Sequence, residues 1–279
     1  AASARALLTT VDAATVTASF DVATSVASIV STAAATPANV GTTFTLTTAA
    51  DTGGKFVGAA GNDTFVGVVG TISTLSSGDY MQGGTGADSL DVSLTGTGGQ
   101  TVAGVVTKSV ESINLSNYTT AGNETINTGQ MTGLTDLNVI GSSVNGDSFF
   151  TNVAAIVNSK MANGLGDLNV TYTDAAVVGT TDSATLTLAN QTGGAYVVSS
   201  TSAGGIETLS VTSGTSKNTV NITDSVRNII KTVNIDGSAA LVSTIDSDSL
   251  RTVDGSKATG ALTLTTGVTG DMVVKGGSG

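Results

Sequence analysis

The chain has 279 residues, room for one large domain or two ordinary ones, and its 10 Lys plus Arg against 21 Asp plus Glu leave a net charge of −11. With a pI near 4.1, cations are the expected company, and neither nucleic acid nor an anionic membrane is. The absence of His, Cys and Trp removes thiol nucleophiles, imidazole bases and ordinary zinc sites.

The apolar content of 39% is spread in short runs of Val, Ala, Leu and Ile. No run approaches the roughly 18 apolar residues of a spanning helix, so no membrane insertion is expected. The chain opens Ala1-Ala2-Ser3 without Met and stops at Gly276-Gly277-Ser278-Gly279, which predicts an excised piece of something longer. Roughly one residue in six is Thr, a β-favouring bias, while Gly numbers 36 and Pro 1.

Residues 1–36 differ from the rest, being Ala-rich and nearly free of Gly. Val22, Val26, Ile29, Val30 and Ala33 share one helical face, with Asp21 placed to cap it, and a shorter helix fits around Leu7, Leu8, Val11 and Ala14. A boundary is expected near Pro37, with 37–279 as a second, β-rich domain. Beyond it, Thr42 to Thr47 alternates strictly, as a half-buried strand does.

Two Gly-rich turns follow. Gly83-Gly84-Thr85-Gly86-Ala87-Asp88-Ser89-Leu90-Asp91 fits the calcium-binding nonapeptide G-G-x-G-x-D-x-U-x at every specified place, and Gly58-Ala59-Ala60-Gly61-Asn62-Asp63-Thr64-Phe65-Val66 departs only at Ala59. Gly276 to Gly279 looks like a third copy, cut short. Glycine lets the turn aim backbone carbonyls inward, the Asp adds a charged oxygen, and the following apolar residue enters the core. The candidate calcium ligands are therefore Gly58, Gly61, Asn62, Asp63, Gly83, Gly84, Gly86 and Asp88, with Asp51, Asp79 and Asp91 near enough in sequence to complete the shell. The alternative for each turn is an ordinary Gly-rich loop, and for each outlying Asp a solvated turn residue. A second acidic group, Asp236, Asp246, Asp248 and Asp254, reads either as calcium ligands or as turn caps.

The remainder repeats one phrase: apolar, two polar, apolar, small polar, apolar. It recurs at Val110–Leu115, Leu134–Val139, Leu165–Val170, Ile206–Val211 and Ile230–Ile235, and at Leu250 with Gly255 in the last apolar place. First positions 110, 134, 165, 206, 230 and 250 are spaced by 24, 31, 41, 24 and 20. One short one-sided strand per twenty-odd residues is what a parallel β-solenoid (β-helix or β-roll) requires, because no single rung can bury its own apolar face. A β-sandwich is the alternative fold.

These residues resemble the RTX-type calcium-binding proteins of bacterial type I secretion, and among them the surface-layer (S-layer) proteins and large adhesins. The resemblance runs from the Phe44-Thr-Leu-Thr-Thr stretch through both nonapeptides to the Ile206-Glu-Thr-Leu-Ser-Val rungs. It implies calcium as cofactor, a location on the bacterial cell surface and self-assembly into a homo-oligomeric lattice. Residues 1–36 would then be a linker or the end of an anchoring domain of the kind that holds cell-surface lipopolysaccharide. By the same resemblance the chain is a structural S-layer subunit and not an enzyme. An adhesin for a cell-surface ligand and a β-solenoid polysaccharide-active enzyme are the alternatives. The paired Asp246 and Asp248 do not favour the enzyme, since sugar sites use aromatic platforms and Trp is absent.

Overall fold

The computed structural model of the chain describes residues 40–279 except 203 and 225, so the helices expected over 1–36 lie outside the described residues. Gly41–Gly279 forms one compact unit. Among the described residues there is no α-helix, only two short 3-10 turns at Gly53–Phe56 and Asp174–Ala176, and no helix long and apolar enough to cross a membrane.

The unit is a parallel β-solenoid. Its first sheet stacks eleven strands, beginning Thr43–Thr45, Thr64–Val69, Ser89–Leu94, Ser112–Asn117 and Asp136–Ser142 and ending Thr252–Ala258 and Val273–Lys275. A second sheet of nine strands includes Thr101–Val102, Asn123–Asn127, Asp147–Val153 and Leu168–Tyr172, and a third joins Tyr80–Gln82, Val106–Lys108 and Met131–Thr132. Turn length varies while register holds: Thr232 pairs with Thr252, a step of 20 residues, and Asn158 pairs with Thr185, a step of 27. The slack is taken up at corners, where insertions cost little because the strands on either side stay paired.

Alternation along each strand sends every second residue into the core. Phe65, Leu90, Ile113 and Leu137 lie in register on successive turns, all buried, and beside them run Val92, Leu115, Val139 and Met161. Phe44 stacks on Phe65 with ring centroids 4.9 Å apart. The next position in the first column is Ser159, a buried hydroxyl where a Leu is expected. Tyr196 of the second sheet resolves it, its hydroxyl lying 3.1 Å from Ser159 Oγ, and complete burial pushes the Tyr196 phenol up to about 12.

Five of the six repeated phrases supply first-sheet strands, but Leu165–Val170 does not. Its apolar residues belong to Leu168–Tyr172 of the second sheet, and the first-sheet strands between Asp136–Ser142 and Thr208–Gly214 are Asn158–Ala162 and Ser183–Ala189. Gly255, in the last apolar place of the final phrase, is buried because Leu262 fills its space: a β-carbon there would lie 2.5 Å from Leu262 Cδ1.

Leu209, Val211, Val233 and Ile235 are all at most 1% exposed, while Ser210 and Asn234 face outward. Leu209→Asp or Ile235→Asp is therefore expected to cost more than about 3 kcal/mol, the lost burial plus an unpaired inward charge. Ser210→Asp is expected to change stability by under about 1 kcal/mol. It is a cleaner control than Asn234→Asp, which would set a second carboxylate beside its register partner Asp254. Urea melts of the three variants check this, and equal losses from inward and outward substitutions would contradict the one-sided strands.

Candidate metal centre

At the corner where the chain enters the first sheet, the backbone N–H of the residue before each strand needs an acceptor. At the entries to Thr43–Thr45, Thr64–Val69, Ser89–Leu94 and Ser183–Ala189 a carboxylate from the next turn supplies it. The Thr42 N–H donates to Asp63 Oδ1 (2.6 Å), the Asp63 N–H to Asp88 Oδ1 (2.7 Å) and the Asp88 N–H to Glu111 Oε2 (2.7 Å). The device returns later, with the Asp182 N–H donating to Glu207 Oε2 at 2.8 Å. Each acid thus staples its own turn to the one before.

This column unites two motifs that look separate in sequence. Asp63-Thr-Phe65, Asp88-Ser-Leu90 and Glu111-Ser-Ile113 occupy the same place, so the second half of each nonapeptide is the repeated strand phrase; Glu207-Thr-Leu209 opens its strand in the same way but two residues earlier in register, and Val211 continues the Phe65 column. The connecting loops differ. Asp63 lies five positions after Gly58 and Asp88 five after Gly83, whereas Glu111 lies two after Ser109. Glu111 is the member of this column that motif reading missed, and the Glu/Asp-Ser/Thr-apolar signature is the signal that could have found it.

The two nonapeptide loops stack directly. The Gly58 N–H donates to the Gln82 carbonyl (2.7 Å), the Gly61 N–H to the Thr85 carbonyl (2.9 Å) and the Thr85 N–H to the Ala59 carbonyl (3.0 Å). Gly84, at φ +109, rests against the Ala59 carbonyl, where any β-carbon would collide. Ala59 itself has an exposed side chain, which is why alanine is tolerated at the one off-pattern place. A β-carbon on Gly58 would strike Asp63 Oδ2 and the Gly83 carbonyl oxygen, and one on Gly83 would strike Asp88 Oδ2 and the Ser109 carbonyl oxygen. Each first glycine therefore leaves a cradle between a carboxylate and a carbonyl of the following turn.

The two cradles differ in what they leave unmet. Asp63 is satisfied, since Oδ1 takes the Thr42 N–H and Oδ2 the Ala59 N–H at 3.0 Å. Asp88 is 1% exposed and its Oδ2 has no hydrogen-bond partner. Burial pushes the Asp88 carboxyl up, and the negative charges of Glu111 and Asp63 push the same way, against the Asp63 N–H that stabilises its charged form. An orphaned buried carboxylate oxygen facing a carbonyl oxygen is an all-oxygen donor set of the kind calcium takes. Among the described residues no three acidic side chains converge as a ready ligand cage, so backbone carbonyls would supply much of the shell.

The other sequence candidates lie apart from this cradle. Gly86, at φ +145, packs on the Gly61 carbonyl, and Asn62 Oδ1 accepts the Ala87 N–H at 3.1 Å; both shape the loops. Asp79 is buried and accepts the Asp51 N–H (2.8 Å) and the Ser76 N–H (2.7 Å), while Asp51 accepts from Thr47. Asp91 faces outward and accepts from Asn114 Nδ2 at 2.7 Å. The later acidic group divides: Asp246 ends a second-sheet strand, whereas Asp236 and Asp254 line a cavity of about 270 Å³ on the outer face of the first sheet. There the Ser256 hydroxyl and Lys275 ammonium hold the Asp254 carboxyl below the usual range.

The chain matches no known protein family, no curated protein and no solved structure.

Burial also raises Glu124, Asp167 and Asp224, so with Asp88 four carboxyls ionise less readily folded than unfolded. Between their ordinary values (3.8 for Asp, 4.5 for Glu) and the raised ones, the folded chain holds more protons, and stability rises as pH falls. In chelator, the melting temperature is expected to climb as pH drops from neutral toward about 5. A melting temperature that fell over that interval would contradict it.

Proposed function

We propose that this chain is a structural segment of a calcium-dependent bacterial surface layer, in which calcium at the Gly83 corner neutralises stacked carboxylates and the solenoid is the load-carrying part of a self-assembled lattice. The observation that supports it most is the orphaned Asp88 Oδ2 against the Ser109 carbonyl, inside the one loop that fits the nonapeptide at every place. Asp63, Asp88 and Glu111 stack on consecutive turns with no basic residue among them, and a hard cation relieves that repulsion. Asp88 with the Ser109 carbonyl would hold the ion, Glu111 lies nearest in charge, and Gly83 keeps the space open.

The lattice part of this reading follows from the resemblance and from the outer face of the solenoid. On the first sheet that face carries side-chain ladders, Asn138 to Asn114 to Asp91 and Thr185 to Asn158 to Asp136, each three turns long and polar. A patch of exposed aromatic residues on one solenoid face would favour the adhesin alternative; among the large exposed apolar side chains of the described residues Tyr118 is the single aromatic.

Asp88→Asn tests the cation site by a crossover. In chelator the variant is expected to melt at or above the unchanged chain, because a buried charge is gone. In millimolar calcium it is expected to melt below it, with calcium affinity weakened about tenfold or more. Light scattering and electron microscopy of the chain with and without calcium test assembly. A chain that stays monomeric in calcium would remove the lattice reading and leave the cation site standing.

A further inference from the structure

Among the described residues, only two carboxylate oxygens are buried without a hydrogen-bond partner: Asp88 Oδ2 and Glu124 Oε1. Glu124 belongs to neither nonapeptide. It sits at the start of Asn123–Asn127 in the second sheet, 1% exposed, on the corner where the chain leaves the first sheet for the second. Its other oxygen, Oε2, accepts the Gln100 N–H at 3.2 Å from the preceding turn, so Glu124 staples its turn as the acids of the other corner do.

The surroundings repeat the Gly83 cradle. Gly98 (φ +85) and Gly122 (φ +82) adopt backbone conformations that L side chains rarely take. A β-carbon on Gly98 would collide with the Ala121 carbonyl oxygen and lie 2.7 Å from Glu124 Oε1. A glycine thus again holds open the space between a carbonyl oxygen and an orphaned carboxylate oxygen, here both of the next turn, whereas Asp88 belongs to the loop of Gly83 itself. Neither ion pair of the described residues, Lys231 with Glu207 and Lys275 with Asp254, involves Glu124. The Gln100 and Gly99 amides lean on the Glu124 carboxylate, yet its buried Oε1 keeps no hydrogen-bond partner and shares the space under Gly98 with the Ala121 carbonyl oxygen.

We propose that Glu124 Oε1 and the Ala121 carbonyl, under Gly98, form a second site for a hard divalent cation of the calcium type, on the opposite corner from the nonapeptides and unmarked by any sequence motif. The inference rests on the reading of the Gly83 cradle as a calcium site, because its geometry is recognised by likeness to that one. The competing occupant is a proton, with a neutral Glu124 carboxyl donating to the Ala121 carbonyl.

Calorimetric titration of calcium into the chelator-stripped chain at neutral pH separates these outcomes. Glu124→Gln is expected to bind one ion fewer than the unchanged chain, and Asp88→Asn to lose a different one, so the double variant loses both. Loss of one ion in Glu124→Gln with none lost in Asp88→Asn supports this site and removes the one at Asp88. Equal stoichiometry in Glu124→Gln and the unchanged chain overturns the proposal. So does a Glu124→Gln chain that melts at or above the unchanged chain in saturating calcium, since glutamine mimics the protonated acid. Should circular dichroism show Glu124→Gln unfolded, Glu124→Asp replaces it: an affinity about tenfold weaker for one ion is expected, and unchanged affinity for every ion overturns the site.

Discussion

The structure depends on turn-to-turn register: each strand hydrogen-bonds along the solenoid to the strand one turn away, its residues bonding to the neighbours of their register partners, whatever the length of chain between them. Steps as unlike as 20 and 27 residues bring Thr232 onto Thr252 and Asn158 onto Thr185. Strands satisfy their own amides in this way, but corners do not, and an unsatisfied backbone group at a corner is costly. Asp63, Asp88, Glu111 and Glu207 close that gap with carboxylates. Stacking solves the amide problem and creates a charge problem, because identical positions repeat at the turn spacing and bring like charges together.

Much of this was legible in sequence, and the part that was not has a physical cause. The solenoid follows from one-sided strands at twenty-odd residues, and Phe65, Leu90 and Ile113 are inward as their alternation requires. The pattern identifies a strand without saying which sheet it joins, since every wall of the solenoid buries alternate residues in the same core. That is how Leu165–Val170 misleads. The intervals of 31 and 41 sum to 72, three turns of 24, and so hold room for Asn158–Ala162 and Ser183–Ala189. Ser159 hid the first of these, because its partner Tyr196 lies 37 residues away on another sheet. The helices over 1–36 fall outside the described residues.

For the candidate site, the nonapeptide pointed to Asp63 and Asp88 alike, and only geometry separates them. A motif fixes which atoms reach a corner but not how many donors reach each atom. Asp63 has an Ala59 N–H for its second oxygen, and Asp88 does not. Glu124 was beyond a motif search altogether. Its cradle is assembled from a glycine of one turn and a carbonyl and carboxylate of the next, and neither half is unusual alone.

The first-sheet corner shows where such a need arises. At the entries to first-sheet strands stand Asp63, Asp88 and Glu111 in one column and, two residues earlier in register on later turns, Asp182, Glu207, Lys231 and Arg251 in another. Glu207, 7% exposed, has an acid on the turn before it and Lys231 on the turn after, with the ammonium 3.9 Å from Oε1. An ion pair with so exposed a lysine adds little stability, yet it offers the second oxygen a positive neighbour, and Glu207 has no orphaned atom. Asp88 stands instead between two acids, and its spare oxygen points at a carbonyl. Where the column changes sign, the chain supplies its own counter-charge. Where it does not, the counter-charge has to come from outside, and the glycines keep open the space in which it would sit.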